Sequence, residues 1–250
     1  MDLSGKTVLV TGSSSGIGQT IAVAFAKKGA IVLIHFRSNE KGAKATLQEV
    51  KKYSKGRIYK ADLTRPLDVQ KMFSSIKRGV DHVDILVNNA GDARPGNLFD
   101  EKILKHQYKS IFMTAINTTR SFLETKSKSQ RKIVNITSDY GNLNMVNPEY
   151  AAYSMMKGAL NNFTTILAKS AGKNVLVNAI APGYTWTPSW EGISKKEKIR
   201  YGNSTRIKRF IQPEEIAHVV IMLAENDAIT GQVITVDGGL SLMDMNHHEG

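Results

Sequence analysis

The sequence predicts a single α/β domain with parallel strands, and three observations lead to this class. A chain of 250 residues with 41% hydrophobic residues can bury one large core. Short apolar runs that suit buried strands are followed by segments whose apolar residues recur at helical spacing. The first such pair is joined by a turn rich in glycine and serine, at residues 11–18. We therefore expect one α/β domain over residues 1–250.

The composition of the chain bears on the class of protein and on its cellular compartment. No run of eighteen apolar residues occurs, so we predict no membrane span. The segment Met1–Lys6 lacks the apolar core of a signal peptide and the Arg/Ser bias of a transit peptide, which predicts a cytoplasmic protein. The absence of cysteine excludes disulfides, thiol catalysis and thiolate metal sites. His247 and His248 are adjacent in a polar C-terminus, where solvated histidines are the rule, so we expect no metal site.

A net charge of +12 raises the question of nucleic acid, because basic surfaces concentrate phosphate polymers. The lysines are instead scattered over every predicted helix, as in the run from Lys41 to Lys55, without interleaved aromatic residues. Solvated helix faces explain this distribution better, so we predict no nucleic-acid partner. Phosphorylated small molecules or an acidic carrier protein remain natural partners for such a surface.

The first strand and helix enclose a predicted phosphate-binding turn. Val8–Val10 suit a buried strand, and Ile21 and Phe25 belong to the helix that follows. The turn faces the helix N-terminus, whose unpaired N–H groups attract a pyrophosphate, while glycines let the backbone approach it. The predicted contacts are Gly12, Ser14, Ser15, Gly16, Ile17 and Gly18. The spacing departs from Gly-x-Gly-x-x-Gly, so an ordinary strand-to-helix loop is the alternative interpretation.

The end of the second predicted strand bears on the choice of cofactor. Residues 31–34 are apolar and run into His35-Phe36-Arg37-Ser38. In a dinucleotide-binding fold this strand end meets the adenosine ribose, where a carboxylate would bind the 2′-OH and a cation the 2′-phosphate. No carboxylate lies between residues 30 and 39, and Arg37 offers a planar fork for phosphate. We predict NADP(H) in preference to NAD(H); the alternative is that Arg37 is a surface arginine.

Two further strand ends supply candidate cofactor contacts. A polar helix over residues 40–54 precedes a strand at 57–61, which ends at Asp62 and Leu63. Asp62 either accepts a hydrogen bond from the adenine amino group or caps the next helix. A buried strand at 83–87 stops at a run of small and amide residues, Asn88, Asn89, Ala90 and Gly91, which suit a cofactor crevice.

The chemistry is predicted to come from the next strand and helix. Residues 132–137 form a strand that leads to Ser138, and a helix over 151–171 carries Tyr153 and Lys157. Because these two are four residues apart, they share one helix face. A nearby ammonium favours the phenolate, so we predict a lowered Tyr153 pKa suited to acid/base work. The alternative is an ordinary surface Tyr/Lys pair.

Together these motifs resemble the short-chain dehydrogenases/reductases, in order and from Leu3 to Gly239. The general pattern is most similar to 3-oxoacyl-acyl-carrier-protein reductases and glucose dehydrogenases. TGSSSGIG at 11–18 resembles the family's TGxxxGxG turn, and NNAG at 88–91 is a hallmark. Ser138, with Tyr153 and Lys157, fits the Ser and YxxxK pattern. Asn178–Gly183 resembles the NxxxPG segment, and residues 231–239 resemble the last strand.

This resemblance implies a doubly wound Rossmann fold, with seven parallel strands and helices on both faces. Tyr153 would exchange the proton with the carbonyl oxygen, and Ser138 would hydrogen-bond that oxygen. Lys157 would hold the nicotinamide ribose and lower the Tyr153 pKa. Contacts to the nicotinamide end are implied for Pro182, Gly183, Thr185 and Thr187, in addition to Tyr153 and Lys157. Helices 100–127 and 151–171 match the family's dimer and tetramer contacts, so a homotetramer is expected.

One position departs from the family pattern. Many members carry an asparagine after NNAG that helps hold a proton-relay water. Family spacing, counted back from Ser138, puts Ser110 there, and Asn117 lies two helical turns too late. Either the relay uses Ser110, or the helix is locally shifted, or turnover is weakened.

Substrate contacts are expected from residues 139–152 and from a mobile lid at 184–211. Trp186 and Trp190 of the lid either touch substrate or form its core, and basic residues follow them. Two function classes stand at this point. The favoured one is an NADP(H)-dependent enzyme that interconverts a small-molecule or carrier-bound carbonyl and its alcohol. The alternative is a catalytically idle nucleotide-binding or scaffold protein of the same fold.

Overall fold

The chain folds around one parallel sheet of seven strands in a computed structural model that describes residues 1–125, 127–145 and 147–243. The strands are β1 (Thr7–Val10), β2 (Ile31–Phe36), β3 (Gly56–Lys60), β4 (Ile85–Asn88), β5 (Arg131–Ile136), β6 (Val175–Pro182) and β7 (Val233–Val236). Their spatial order is β3, β2, β1, β4, β5, β6, β7. The connections therefore reverse direction between β1 and β4, where α/β sheets form their ligand crevice.

Helices cover both faces of the sheet. They are α1 (Gly16–Lys27), α2 (Glu40–Lys51), α3 (Pro66–Lys77), α4 (Glu101–Gln107), α5 (Thr114–Glu124), α6 (Ala151–Ser170), α7 (Lys195–Asn203) and α8 (Pro213–Glu225). One core cluster joins the sheet to α1, α2 and α8, and a second joins it to α3, α5 and α6. The predicted doubly wound Rossmann fold is confirmed. No helix among the described residues is long and apolar enough to span a membrane.

The central strand β1 supplies both cores from adjacent residues. Val8 and Val10 belong to the cluster on the α1 face, whereas Leu9 belongs to the cluster on the α3 face. All three side chains are fully buried, because successive strand residues point to opposite faces of a sheet that is covered on both sides. Each such side chain stabilises the fold by roughly 1.5–3 kcal/mol through burial of apolar surface.

The predicted continuous helix over residues 100–127 is wrong in one respect. Helix α4 ends at Gln107 and α5 begins at Thr114, and a π-helical turn, Tyr108–Met113, joins them. A π turn accommodates an extra residue, so it changes the direction in which later side chains point. The Thr114 hydroxyl oxygen lies 3.1 Å from the Ser110 carbonyl oxygen and 2.8 Å from that of Ile111, and its hydrogen bond to this pair connects the wide turn to α5. The other predicted elements differ from the structure only at their ends.

Candidate active site

A cleft of about 240 Å³ lies at the carboxyl ends of the central strands, where the connections reverse. We call it the sheet-end cleft. Of the predicted cofactor contacts, its lining includes Gly12, Ser14, Ser15, Arg37, Asp62, Leu63, Asn89, Ala90 and Gly91. Strands β1, β2, β3 and β4 therefore bring together four separate motifs of the sequence.

The glycine turn after β1 packs tightly against the segment that follows β4, the neighbouring strand of the sheet. Gly12 has φ +64°, and a Cβ built on it would lie 2.9 Å from the Ala90 Cα. Only glycine meets both conditions, because an L side chain is strained at this φ and would collide here. Ser15, the N-cap residue of α1, makes no side-chain capping hydrogen bond. Within the part of the chain that the structure describes, the first N–H groups of α1 have no side-chain acceptor, as in an anion-binding helix N-terminus.

His35 hydrogen-bonds to the backbone of this turn, a role that was not predicted from the sequence. Its Nδ1 accepts the Gly12 N–H at 3.0 Å, and its Nε2 lies 3.1 Å from the Ala61 carbonyl oxygen. Burial lowers the pKa of His35 to about 4, so the ring is neutral and Nε2 carries the hydrogen. An imidazole inside the apolar run 31–36 was the signal that could have identified it.

Arg37 and Asp62 lie on the same side of the sheet-end cleft. Arg37 is exposed and lines the cleft, and it forms no salt bridge within the part of the chain that the structure describes. Burial raises the pKa of Asp62, but two hydrogen bonds from Thr64 and the charges of Arg37 and Arg65 hold it below its ordinary value. Asp62 does not cap α3, because the N-cap residue of that helix is Arg65.

Ser138 and Tyr153 lie side by side where β5 meets α6. Ser138 follows β5 and is buried, and its hydroxyl counteracts part of the rise in the Tyr153 pKa. Burial is the largest cause of that rise, and the charge of Asp139 adds to it. The rings of Tyr140 and Tyr150 pack edge-on against Tyr153, with centroid separations of 6.4 and 6.5 Å. The expected lowering of the Tyr153 pKa is therefore wrong for this structure, since burial outweighs any effect of Lys157.

Lys157 is part of the interior. Its side chain is buried, and its Nζ lies 5.6 Å from the centroid of the Tyr153 ring. The same Nζ donates to the Ile136 carbonyl oxygen at 2.8 Å, which fixes the amine at the end of β5. Burial lowers the pKa of Lys157 to about 7. An ordinary surface Tyr/Lys pair is thus excluded.

Comparison with known proteins agrees with this geometry. Residues 12–241 match the family model described as Enoyl-(Acyl carrier protein) reductase. The 3-oxoacyl-[acyl-carrier-protein] reductase FabG of Aquifex aeolicus is 39% identical over 252 residues, which cover 95% of this chain and 98% of that protein. The chain belongs to the short-chain dehydrogenase/reductase family.

Solved structures of similar fold place this short-chain dehydrogenase/reductase among oxidoreductases. L-sorbose reductase from Gluconobacter frateurii, complexed with NADPH and L-sorbose, has a TM-score of 0.90 and 28% identity, covering 98% of this chain and 100% of that one. The RhlG/NADP active-site complex of Pseudomonas aeruginosa has a TM-score of 0.89 and 28% identity, covering 96% and 98%.

Ser110, the position that departs from the family pattern, lines the sheet-end cleft. Its Oγ is buried and has no hydrogen-bond partner among the described residues, although it lies near enough to Asp92 to help lower the pKa of that carboxyl. Asn117 does not take its place, because its Nδ2 donates to the Leu63 carbonyl oxygen at 2.9 Å. Ser110 lies within the π turn, which does not bring Asn117 to this position.

The segment after β6 crosses towards the glycine turn of this short-chain dehydrogenase/reductase. Pro182 ends β6, and the Thr185 hydroxyl donates to the Gly183 carbonyl oxygen at 3.0 Å. The Thr187 methyl carbon would lie 3.4 Å from a Cβ built on Gly16. The predicted contacts at 182–187 therefore extend from the end of β6 to the start of α1.

The two tryptophans of residues 184–211 pack within that segment. The Phe210 ring lies 5.1 Å from Trp186 and 5.0 Å from Trp190, between ring centroids. Trp190 also packs against Tyr184 and Tyr201, at 5.7 and 5.0 Å. Both tryptophans thus belong to the aromatic core of the segment.

The two histidines at 247 and 248 lie outside the described residues. Within residues 1–125, 127–145 and 147–243, no group of three or more His, Asp or Glu side chains is arranged to hold a metal ion.

Proposed function

We propose that this short-chain dehydrogenase/reductase interconverts a carbonyl and an alcohol by hydride transfer, with NADP(H) as its cofactor. The observation that carries the proposal is the grouping of a half-buried Tyr153 with the buried side chains of Ser138 and Lys157 at the end of β5. A half-buried phenol beside a hydroxyl and an amine is an arrangement that exchanges a proton with a substrate oxygen.

The residues present fit a phosphorylated dinucleotide. Gly12 leaves no room for a Cβ and so brings backbone to the cleft, and the N-terminus of α1 offers N–H groups to a pyrophosphate. We assign Arg37 to the ribose end and Thr185, Thr187 and Lys157 to the nicotinamide end. When bound, NADP(H) supplies or accepts the hydride.

The protein's own groups then handle the proton. Because burial raises the pKa of Tyr153, the phenol stays protonated at neutral pH and can donate its hydrogen to the carbonyl oxygen during reduction. In oxidation the phenol oxygen takes the hydrogen back. Ser138 would donate a hydrogen bond to the same oxygen and stabilise its developing charge. Lys157 would hold the ribose hydroxyls and keep positive charge near the phenol.

NADP(H) is preferred to NAD(H) in this proposal because of the end of β2. Arg37 is the cation that follows Phe36, and β2 ends without a carboxylate. An exposed guanidinium that lines the cleft can pair with a 2′-phosphate through two parallel hydrogen bonds. The RhlG complex contains NADP and the sorbose reductase complex contains NADPH, which supports the same choice.

The substrate is proposed to be a 3-oxoacyl group on a carrier protein, or a sugar or simple alcohol. The name of the Aquifex aeolicus relative supports the first, and the L-sorbose complex supports the second. Residues 184–211 are proposed to be the substrate lid, since Thr187 reaches the glycine turn. Exposed cations on α7, at Lys195, Lys196 and Lys198, would suit an acidic carrier protein.

We further propose a cytoplasmic homotetramer. Tyr108, Met155 and Ile166 lie on the π turn and on α6, and between 43% and 56% of their surfaces is exposed. Large apolar side chains exposed on neighbouring helices are suited to a symmetric interface between copies.

The deciding experiment follows NADPH absorbance with a panel of ketones, β-ketoacyl thioesters and aldoses. We expect turnover with one class, and much faster oxidation of NADPH than of NADH. A protein that binds NADPH but turns over no member of the panel in either direction would instead be an idle nucleotide-binding or scaffold protein.

A further inference from the structure

The residue after Ser138 is a buried carboxyl at the start of the segment 139–152, from which substrate contacts are expected. Asp139 is 2% exposed, and its Oδ1 lies 3.0 Å from the Ser138 Oγ. The Tyr140 N–H lies within hydrogen-bonding distance of the same two oxygens, at 2.8 Å from Asp139 Oδ1 and 3.2 Å from Ser138 Oγ. Asp139 therefore touches the hydroxyl that faces Tyr153.

The hydrogen count at Ser138 makes the charge of Asp139 important. A serine hydroxyl has one hydrogen to donate and two lone pairs to accept with. A carboxylate can only accept, so an ionised Asp139 takes the Ser138 hydrogen. Ser138 then has no hydrogen for a substrate oxygen. A carboxylic acid can instead donate to Ser138 Oγ, which leaves the serine hydrogen free.

The surroundings of the second oxygen favour the uncharged form. Asp139 Oδ2 is buried and has no hydrogen-bond partner among the described residues. A Cβ built on Gly183 would lie 3.3 Å from this oxygen and 2.8 Å from the Cβ of Asp237, so Asp139 and Asp237 lie on either side of Gly183. A buried carboxylate oxygen without a donor is costly, and a second carboxylate nearby adds repulsion.

We infer that Asp139 is a positioning residue that holds a proton in the active enzyme and donates it in a hydrogen bond to Ser138 Oγ, which directs the Ser138 hydrogen to the substrate carbonyl oxygen. This inference rests on the proposed function of the same site. It adds a group that acts through Ser138, and it makes carbonyl reduction sensitive to deprotonation of Asp139.

The titration behaviour agrees with the geometry. Burial raises the pKa of Asp139 to about 7, the hydrogen bonds from Ser138 and Tyr140 oppose the rise, and Asp237 adds to it. Tyr153 on α6 and Tyr184 after β6 face the same charge, since Asp139 raises the pKa of each phenol. Lys157 titrates in the same range and is the group from which Asp139 must be separated by experiment.

The first test compares pH profiles of kcat for carbonyl reduction in the wild type, Asp139→Asn and Asp237→Asn. An asparagine side chain does not titrate, so Ser138 meets the same uncharged partner at every pH. On the alkaline side, log kcat falls with pH, and we expect this fall to be less steep by about one unit per pH unit in Asp139→Asn than in the wild type. The loss of turnover between pH 6 and 9 should therefore be smaller in the variant by a factor of roughly 10². Any part of the slope that is caused by titration of Lys157 remains in the wild type and in Asp139→Asn alike.

Asp237→Asn supplies a directional control. Removal of its negative charge lowers the Asp139 pKa, so the alkaline loss of turnover moves to lower pH than in the wild type. An Asp139→Asn profile that keeps the wild-type slope would overturn the inference. A shift of the Asp237→Asn profile to higher pH would overturn it as well.

A second readout does not depend on substrate. In infrared spectra of the NADP-bound protein with ¹³C-labelled aspartate, the wild type minus Asp139→Asn difference should contain a protonated-carboxyl band at pH 5.5 that disappears above pH 8. Absence of this band refutes a protonated Asp139. If the substrate panel fails but the band titrates, the proposed function is wrong and the protonation of Asp139 stands.

Discussion

His35 Nδ1 accepts a hydrogen bond of 3.0 Å from the Gly12 N–H and so connects the second strand to the cofactor turn. Its other nitrogen reaches the Ala61 carbonyl oxygen after β3. A neutral ring can accept at one nitrogen and donate at the other, whereas a protonated ring can only donate. The conformation of the turn at Gly12 therefore depends on an uncharged imidazole.

Stability is expected to fall in acid because of His35. Its pKa is about 4 in the folded chain and 6.5 unfolded, so between these values the unfolded state binds more protons. The free energy of unfolding should thus drop as pH falls from 6.5 towards 4, by up to roughly 3 kcal/mol. Urea unfolding at several pH values measures this. In His35→Asn, whose amide oxygen can replace Nδ1, this part of the pH dependence should be absent; an unchanged pH dependence would contradict the assignment.

Tyr153→Phe is expected to lower kcat by about 10²-fold or more while NADPH binding changes little, because the transferable hydrogen is lost and the ring still packs. Stopped-flow turnover and NADPH fluorescence titration measure the two quantities separately. Lys157→Ala should reduce both, since the lysine is assigned ribose contacts as well as a charge beside the phenol.

Tyr150→Phe is the matched control for Tyr153. The two rings are neighbours, but the residue four positions after Tyr150 is Ser154, which carries no charge. This variant should lose much less turnover. Wild-type turnover in Tyr153→Phe would show that the catalytic assignment is wrong.

Arg37→Ala is expected to weaken NADPH binding by roughly 1.5–3 kcal/mol and leave NADH binding nearly unchanged, because a charge-assisted phosphate pair is lost. Isothermal titration with both cofactors measures the difference. Arg65→Ala is the control, since Arg65 also acts on Asp62 but does not line the cleft. Equal affinities of the wild type for NADPH and NADH would refute the proposed preference.

Ser110→Ala is expected to lower kcat by about tenfold with little change in NADPH affinity, if its unpaired hydroxyl holds the relay water. Ser121→Ala, a buried serine on α5, serves as the control for a lost hydroxyl on the same helix pair. Unchanged turnover in Ser110→Ala would mean that the water is held elsewhere. Weaker NADPH binding would instead assign the hydroxyl to the cofactor.

Ile166→Glu is expected to dissociate the proposed tetramer, because it replaces an exposed apolar side chain of α6 with a charged one. Light scattering at micromolar concentration measures the mass, and a wild type found only at 27.5 kDa would rule out the tetramer. Leu67→Glu is the control on α3, since Leu67 is 67% exposed and Ile166 is 56% exposed.

The sheet and most helices could be predicted because their signals are local. Val8–Val10 and residues 83–87 are apolar runs bounded by glycine or amide residues, and Tyr153 and Lys157 have helical spacing. The π turn at Tyr108–Met113 could not be predicted, since one extra residue in a helix leaves no mark on apolar spacing. Its presence depends on packing against α4, α5 and α6.

The pKa of Tyr153 could not be predicted because it depends on how the fold packs other residues around the phenol. The i,i+4 spacing gives the neighbour Lys157, but the burial that dominates comes from the way the Tyr140 and Tyr150 rings and Asp139 surround the phenol. The predicted direction of the Tyr153 pKa shift was therefore wrong, although Tyr153 and Lys157 are neighbours as predicted. The burial of Asp139 beside Ser138 is likewise visible only in the fold.

The order of the strands also has a consequence for synthesis on the ribosome. Every residue that lines the sheet-end cleft lies between Gly12 and Thr114, whereas Ser138, Tyr153 and Lys157 follow in the second half. The central strands β1 and β4 meet through Thr7 and Asp84, which are 77 positions apart, so this contact can form while α6 is still untranslated. The nascent chain therefore contains every residue of the sheet-end cleft before it contains the residues assigned to chemistry.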